Sequence, residues 1–164
     1  MLSTDGAGPF QDGSVSVDAE GSVAGFVLFD GNAIGEAGLE SSFRYTRLLA
    51  PVEMDLSKQI RTALAVMNLD GGEKTLSVEL RNSAGDLVAT GVLAHSEESP
   101  VIPPKGHVAI FLDELQWDVS PDLQQFRGVL KVIDPTGTGI VALVLRVDLL
   151  KSQLSSVPVV DATP

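Results

Sequence analysis

The chain has 164 residues, 44% of them hydrophobic and 5% aromatic, which suffices for one sizeable folded core. Eleven Lys and Arg stand against 22 Asp and Glu, and the resulting charge of −11 disfavours nucleic acid and anionic lipid as partners, because their phosphates would repel the chain. Zero cysteines exclude disulfides, thiol catalysis and the common structural zinc sites. No apolar run exceeds the six residues of Ile140 to Leu145, so insertion into a membrane as a helix of roughly twenty residues is not expected.

In chain order, the first segment is acidic. Before Arg44 there is no Lys or Arg, only Asp5, Asp12, Asp18, Glu20, Asp30, Glu36 and Glu40. Such a run reads first as a solvated face and second as a surface for a divalent cation or a basic partner. Residues 1 to 6 lack the basic and apolar regions of a signal peptide, so the chain is expected to be cytosolic, to follow a removed signal, or to lie within a longer polypeptide.

Strand candidates then recur at short intervals. They run over 14–18, 23–29, 43–49, 60–67, 75–81, 87–94, 107–112, 128–133, 139–147 and 154–159. The clearest is Thr75 to Arg81, where Leu76, Val78 and Leu80 alternate with Ser77, Glu79 and Arg81 as a half-buried strand requires. Between the strands, Asn68 to Glu73, Asn82 to Asp86, Pro103 to Gly106 and Asp134 to Gly139 carry turn residues and are expected to close antiparallel connections. One or two short helical turns are expected over 112–125. Phe111, Leu112 and Leu115 can share a helical face, and Ser120-Pro121-Asp122 has an N-cap followed by proline at the first helical position. The fold class is therefore all-β, an antiparallel β-sandwich of about ten short strands.

Two parts of the chain are variants of one another. Gly13 to Val17, Val23 to Phe29 and Leu49 to Val52 reappear as Gly128 to Val132, Ile140 to Leu145 and Ser156 to Val159. The recurring positions are apolar strand residues, turn glycines and the closures at Pro51 and Pro158, so a packing unit recurs, as in a repeat array. The expected organisation is an N-terminal half-unit over 1–52, packed on or paired with a main body over 53–164. Its strands would expose backbone groups able to meet another chain.

Chemistry is sparse. The two histidines, His95 and His107, lie in different segments with no nucleophile signature beside them, so they read as loop and strand-edge residues. A metal site combining them with Glu97 or Glu98 is the lesser alternative. Gly35 to Gly38 and Gly137 to Gly139 lack the lysine and the strand-loop-helix context of a phosphate cradle and read as turns. Asp113, Glu114, Asp118 and Asp122 are the weak candidates for calcium or for paired acid and base catalysis, although adjacent acids on a short turn mostly face water. Trp117, the single tryptophan, is the weak candidate for stacking on a glycan, packing being the alternative. Tyr45 is not placed beside it by sequence.

Arg61-Thr62-Ala63-Leu64-Ala65-Val66-Met67-Asn68, Val78 to Gly85, Gly106 to Leu115, Phe126 to Leu130, Ala142 to Arg146 and Val157-Pro158-Val159 together resemble an uncharacterised immunoglobulin-like β-domain. That domain is repeated in large secreted or surface-exposed bacterial proteins. The resemblance covers roughly residues 60 to 160, with the half-unit over 10 to 52 before it. It implies an extracellular or cell-surface, non-enzymatic structural or adhesive module, without cofactor or catalytic residues. Other protein modules, including further copies assembling into a filament or array by strand sharing, are the expected partners. A glycan- or calcium-binding module is the alternative function.

Overall fold

Strict alternation decides most of the architecture. In β3 (Arg47–Asp55), β4 (Ile60–Asn68), β5 (Leu76–Asn82) and β10 (Ile140–Asp148), alternate side chains are buried, so each strand turns one row inward. The computed structural model describes residues 20, 26–30, 36–40, 44–93 and 100–162. The remaining strands are β1 (Phe26–Asp30), β2 (Glu36–Glu40), β6 (Leu87–Leu93), β7 (His107–Phe111), β8 (Gln116–Trp117), β9 (Gln125–Ile133), β11 (Gln153–Val157) and β12 (Val160–Asp161). The protein is all-β; among the described residues every pairing is antiparallel, and helix is confined to two three-residue 3-10 turns, Leu56–Lys58 and Leu112–Glu114. No helix among the described residues is long and apolar enough to cross a membrane.

Among the described residues β1 and β2 pair only with each other, and ten strands share one ladder network. Within that network the pairings fall into two runs. One runs β12-β3-β9-β5-β6-β8; the other runs β7-β4-β10-β11. Among the described residues the strands of the two runs pair only at Asp55↔Ile60, the corner where β3 turns into β4, and just before β3 Tyr45 bridges Ile140 of β10. Asp55 shapes that corner by accepting hydrogen bonds from Ser57 Oγ (2.6 Å) and the Lys58 amide (3.2 Å). Both runs contribute to one buried cluster, including Leu48, Val52, Leu64, Val66, Val78, Leu80, Leu130, Val132, Ile140 and Val144.

The structure corrects the expected connections. Asn82–Asp86 is a true hairpin, joining paired β5 and β6. The Asn82 side-chain oxygen accepts from the amides of Ala84 and Asp86 (2.9 Å each), and Gly85 takes φ +89°. The segments at 68–73, 103–106 and 134–139, also expected to be antiparallel connections, join strands that do not pair, and each crosses from one run to the other. Turn-forming residues mark a reversal but not its partner. Ser120-Pro121-Asp122 starts no helix: the Asp122 side chain accepts from the Gln124 amide (3.0 Å) as a local turn, and Leu123 is drawn into the core. The 43–49 strand begins later and runs through Pro51 to Asp55, so residues 47–52 of the expected half-unit lie in β3. Pro51 fits because β9 covers one edge of β3, while β12 covers the other only at Leu48 and Leu49. The strand expected over 14–18 lies outside the described residues.

β9 is flanked by β3 and β5, and Gly128 sits where no side chain fits. A Cβ there would lie 2.0 Å from the Arg81 carbonyl oxygen and 2.9 Å from the Phe126 ring. Gly128→Ala should therefore cost about 1–3 kcal/mol in urea unfolding. Gly71→Ala, with nothing within 4 Å of its added carbon, should leave the midpoint nearly unchanged.

Candidate functional site

Three of the acids and the tryptophan singled out by sequence lie around β8, and the fold uses them. Asp113 receives the Arg61 guanidinium in a two-pronged pair (Nε to Oδ1 3.0 Å, Nη2 to Oδ2 2.8 Å), and Glu114 takes a third bond from Nη2 (2.8 Å). The same guanidinium lies 3.7 Å above the centre of the Phe111 ring. Asp118 fastens β8 to β6: its Oδ1 accepts from the Thr90 amide and its Oδ2 from the Thr90 hydroxyl, both at 2.8 Å. These bonds, the Thr90 amide first, hold the Asp118 carboxyl below the usual range.

Trp117 donates its indole N–H to the Leu112 carbonyl (3.1 Å) and packs its ring against the core. Gly91 makes room for it; a Cβ there would lie 2.5 Å from the Gln116 carbonyl and 3.3 Å from the indole. Beside the ring runs a shallow groove of about 290 Å³, walled by Leu56, Leu115, Trp117, Pro121 and Leu123 and rimmed by Asp113, Asp122, Ser120 and Gln124. Asp113, Asp122 and Trp117 thus share one groove, while Glu114 and Asp118 do not line it. Tyr45 is elsewhere, buried at the head of β10 where its amide and carbonyl bridge Ile140. His107 opens β7 opposite Met67, and His95, Glu97 and Glu98 lie outside the described residues. Among the described residues no three His, Asp or Glu side chains converge as a metal site requires.

The strongest polar centre is one the motif reading did not single out. Lys74 is 2% exposed, and its Nζ lies 2.7 Å from Asp134 Oδ2, 2.8 Å from Asp70 Oδ2, 2.8 Å from Thr136 Oγ1 and 2.6 Å from Thr138 Oγ1. Asp134 is closed on its other sides by the amides of Thr136 (2.9 Å) and Gly139 (2.8 Å). Next to it, buried Asn68 donates to the carbonyls of Gly72 (2.7 Å), Pro103 (3.1 Å) and Ile102 (3.3 Å). Lys74 and Ile102 exchange both backbone bonds (3.0 and 2.8 Å), and the Asp134 amide donates to Thr46 (2.8 Å). Four segments, 44–46, 68–74, 102–106 and 134–140, are therefore tied together.

Parity was the available signal. Lys74 shares the inward row of Leu76, Val78 and Leu80, Asn68 that of Leu64 and Val66, and Asp134 that of Leu130 and Val132. Burial pushes the Asp134 carboxyl up, but Lys74, Thr136 and Gly139 outweigh it and hold the group below the usual range. Burial likewise works against the Lys74 charge, and Asp134 and Asp70 outweigh it in the other direction. Buried Lys74 and Asp134, each with several partners, thus tie the crossing loops together.

Comparison of the chain with protein-family models, with curated proteins and with solved structures gives no match.

Lys74→Met would leave Asp134 buried without its counter-ion, and we predict a loss of about 3–5 kcal/mol in urea unfolding. The pH dependence follows from the same pairs. The Asp134 contribution is complete above the ordinary carboxyl value of 3.8 and is lost as pH falls through the lowered folded value. The Lys74 contribution is complete below its ordinary 10.5 and is lost as pH rises through the raised folded value. The wild-type midpoint should fall away on both sides of that window, and Lys74→Met should flatten the alkaline limb.

Proposed function

We propose that the chain is a non-enzymatic structural or adhesive module of an extracellular protein, one link in an array of β-units. We infer further that its two strand runs form the sheets of an immunoglobulin-like sandwich. The buried rows of β3, β5 and β9 and those of β4 and β10 meet in a single cluster, which supports that arrangement. The extracellular placement rests on the resemblance of residues 60 to 160. Support for tandem units comes from the duplicated sequence, in which Val23 to Phe29, overlapping β1, recurs as Ile140 to Leu145 of β10, and both strands lie in antiparallel ladders.

The observation that carries the reading is where the polar side chains are spent. Arg61 occupies Asp113 and Glu114, Thr90 occupies Asp118, Gln124 engages Asp122, and Leu112 engages Trp117. In each case the bond fastens one segment of the fold to another or shapes a turn. No buried side-chain nitrogen or oxygen among the described residues lacks a partner, so the interior holds no unspent polar group. Among the described residues β7 and β8 each have one ladder partner, and their outer edges are where a strand of another unit can add.

The groove beside Trp117 supports the second reading, a glycan module, since an aromatic wall with a polar rim suits a sugar ring. Two measurements separate the readings. The melting temperature should be the same in calcium and in chelator, and a glycan array should give no saturable signal. A rise of several degrees with calcium would replace the scaffold with a calcium module. Saturable glycan binding abolished by Trp117→Ala would replace it with a lectin-like one.

A further inference from the structure

The two outer faces of the molecule differ in kind. On the β3-β9-β5 face, outward residues form ion pairs: Glu79 with Arg81 (2.7 Å) and Lys131 (3.1 Å), and Glu53 with Arg127 (2.8 Å). The outward row of β4 holds instead Ala63, Ala65 and Met67, and that of β10 holds Val141, Leu143 and Leu145. These strands are thus apolar on both faces, the pattern of strands covered on both sides. Val147 and Leu154 lie on this same outer side and are 2% and 8% exposed, packed with Ala63, Phe111 and Leu145 in a second cluster apart from the main core. Arg61, over the Phe111 ring, closes one border of the patch.

The candidate cover is tethered beside it. Tyr45 bridges Ile140 at the head of β10, which brings the N-terminal segment to the edge of this sheet. β2 runs close to β11, the strand that borders the patch, without entering its ladder. β1 begins Phe26-Val27-Leu28-Phe29, and a two-stranded ribbon with that sequence is at best marginally stable alone in water. From residue 40 to Tyr45 an extended chain reaches about 17 Å, enough to lay the ribbon across neighbouring strands.

We propose that the β1–β2 ribbon of the chain itself covers the apolar outer face of β4 and β10, as a third layer joining the N-terminal half-unit to the body. The inference is independent of the function proposed above. A bare face would leave the scaffold reading standing, and a calcium or glycan response would overturn that reading without moving the ribbon.

Hydrogen exchange on the full chain, read by mass spectrometry beside light scattering, tests it. In wild type the amides of 26–30 and 36–40 should exchange about 100-fold more slowly than an open chain, in a monomer and equally at all dilutions. Leu143→Glu should lower that protection at least tenfold while β5 and β9 stay protected, and Ser77→Glu on the opposite face should change nothing. Protection that fades on dilution together with a dimer mass would assign the face to a second copy and overturn the proposal. Unprotected ribbon amides in wild type would overturn it as well. Should Leu143→Glu fail to fold, wild-type protection and its dilution dependence decide alone.

Discussion

The buried ammonium of Lys74 is the constraint on which the rest of the structure depends. An isolated charge in a protein interior costs several kcal/mol, so Lys74 is tolerated only where Asp134 and Asp70 reach it together. Asp134 is 60 residues away in sequence and Asp70 is four, so a local loop and a distant one must arrive at the same point. That requirement fixes where the chain crosses between strand runs. It also fixes register, because a slip of one residue in β5 would turn Lys74 outward and Ser77, Glu79 and Arg81 inward.

The opposite end of the strands is closed by weaker means. There Asp55 shapes the β3-to-β4 corner with its own neighbours, and Arg146 reaches Glu53 at 2.6 Å. Glu53 is held below the usual carboxyl range by Arg146 first, against a burial effect that raises it. Arg146 and Glu53 are part-exposed and screened by solvent, so their pair contributes little alone. The molecule thus has one dry ionic lock at the crossing loops and a wet network at the corner, and the apolar rows between them supply the bulk of the burial.

Alternation in Leu76 to Leu80 and the turn chemistry of Asn82 to Gly85 were legible because both are local: neighbouring residues set the face, and one side chain closes its own turn. The crossings were not. Asn68 to Glu73 and Asp134 to Gly139 contain the same turn formers as the true hairpin, and what separates them is contact across the fold, which no window of adjacent residues contains. The acids near β8 show the same limit. Asp113 and Glu114 read as available carboxylates until Arg61, 52 residues upstream of the first, is seen between them. Even so, the polar residues ending three inward rows were visible as a break in parity, since a lysine in register with three buried aliphatics demands an acid partner.

Saturation of the polar groups bears on what the protein can do. A carboxylate that binds a metal or moves a proton needs a free lone pair at the working moment, and withdrawing Asp113 or Asp134 from its present partners would strand Arg61 or Lys74. Chemistry at those positions would therefore compete directly with the fold. Apolar surface carries no such conflict, because packing a neighbouring layer on half-buried Met67, Leu143 and Leu145 breaks no bond and withdraws further aliphatic area from water. In this molecule Asp113 and Asp134 cannot leave their partners without cost to the fold, whereas contact through the outward rows of β4 and β10 carries no such cost.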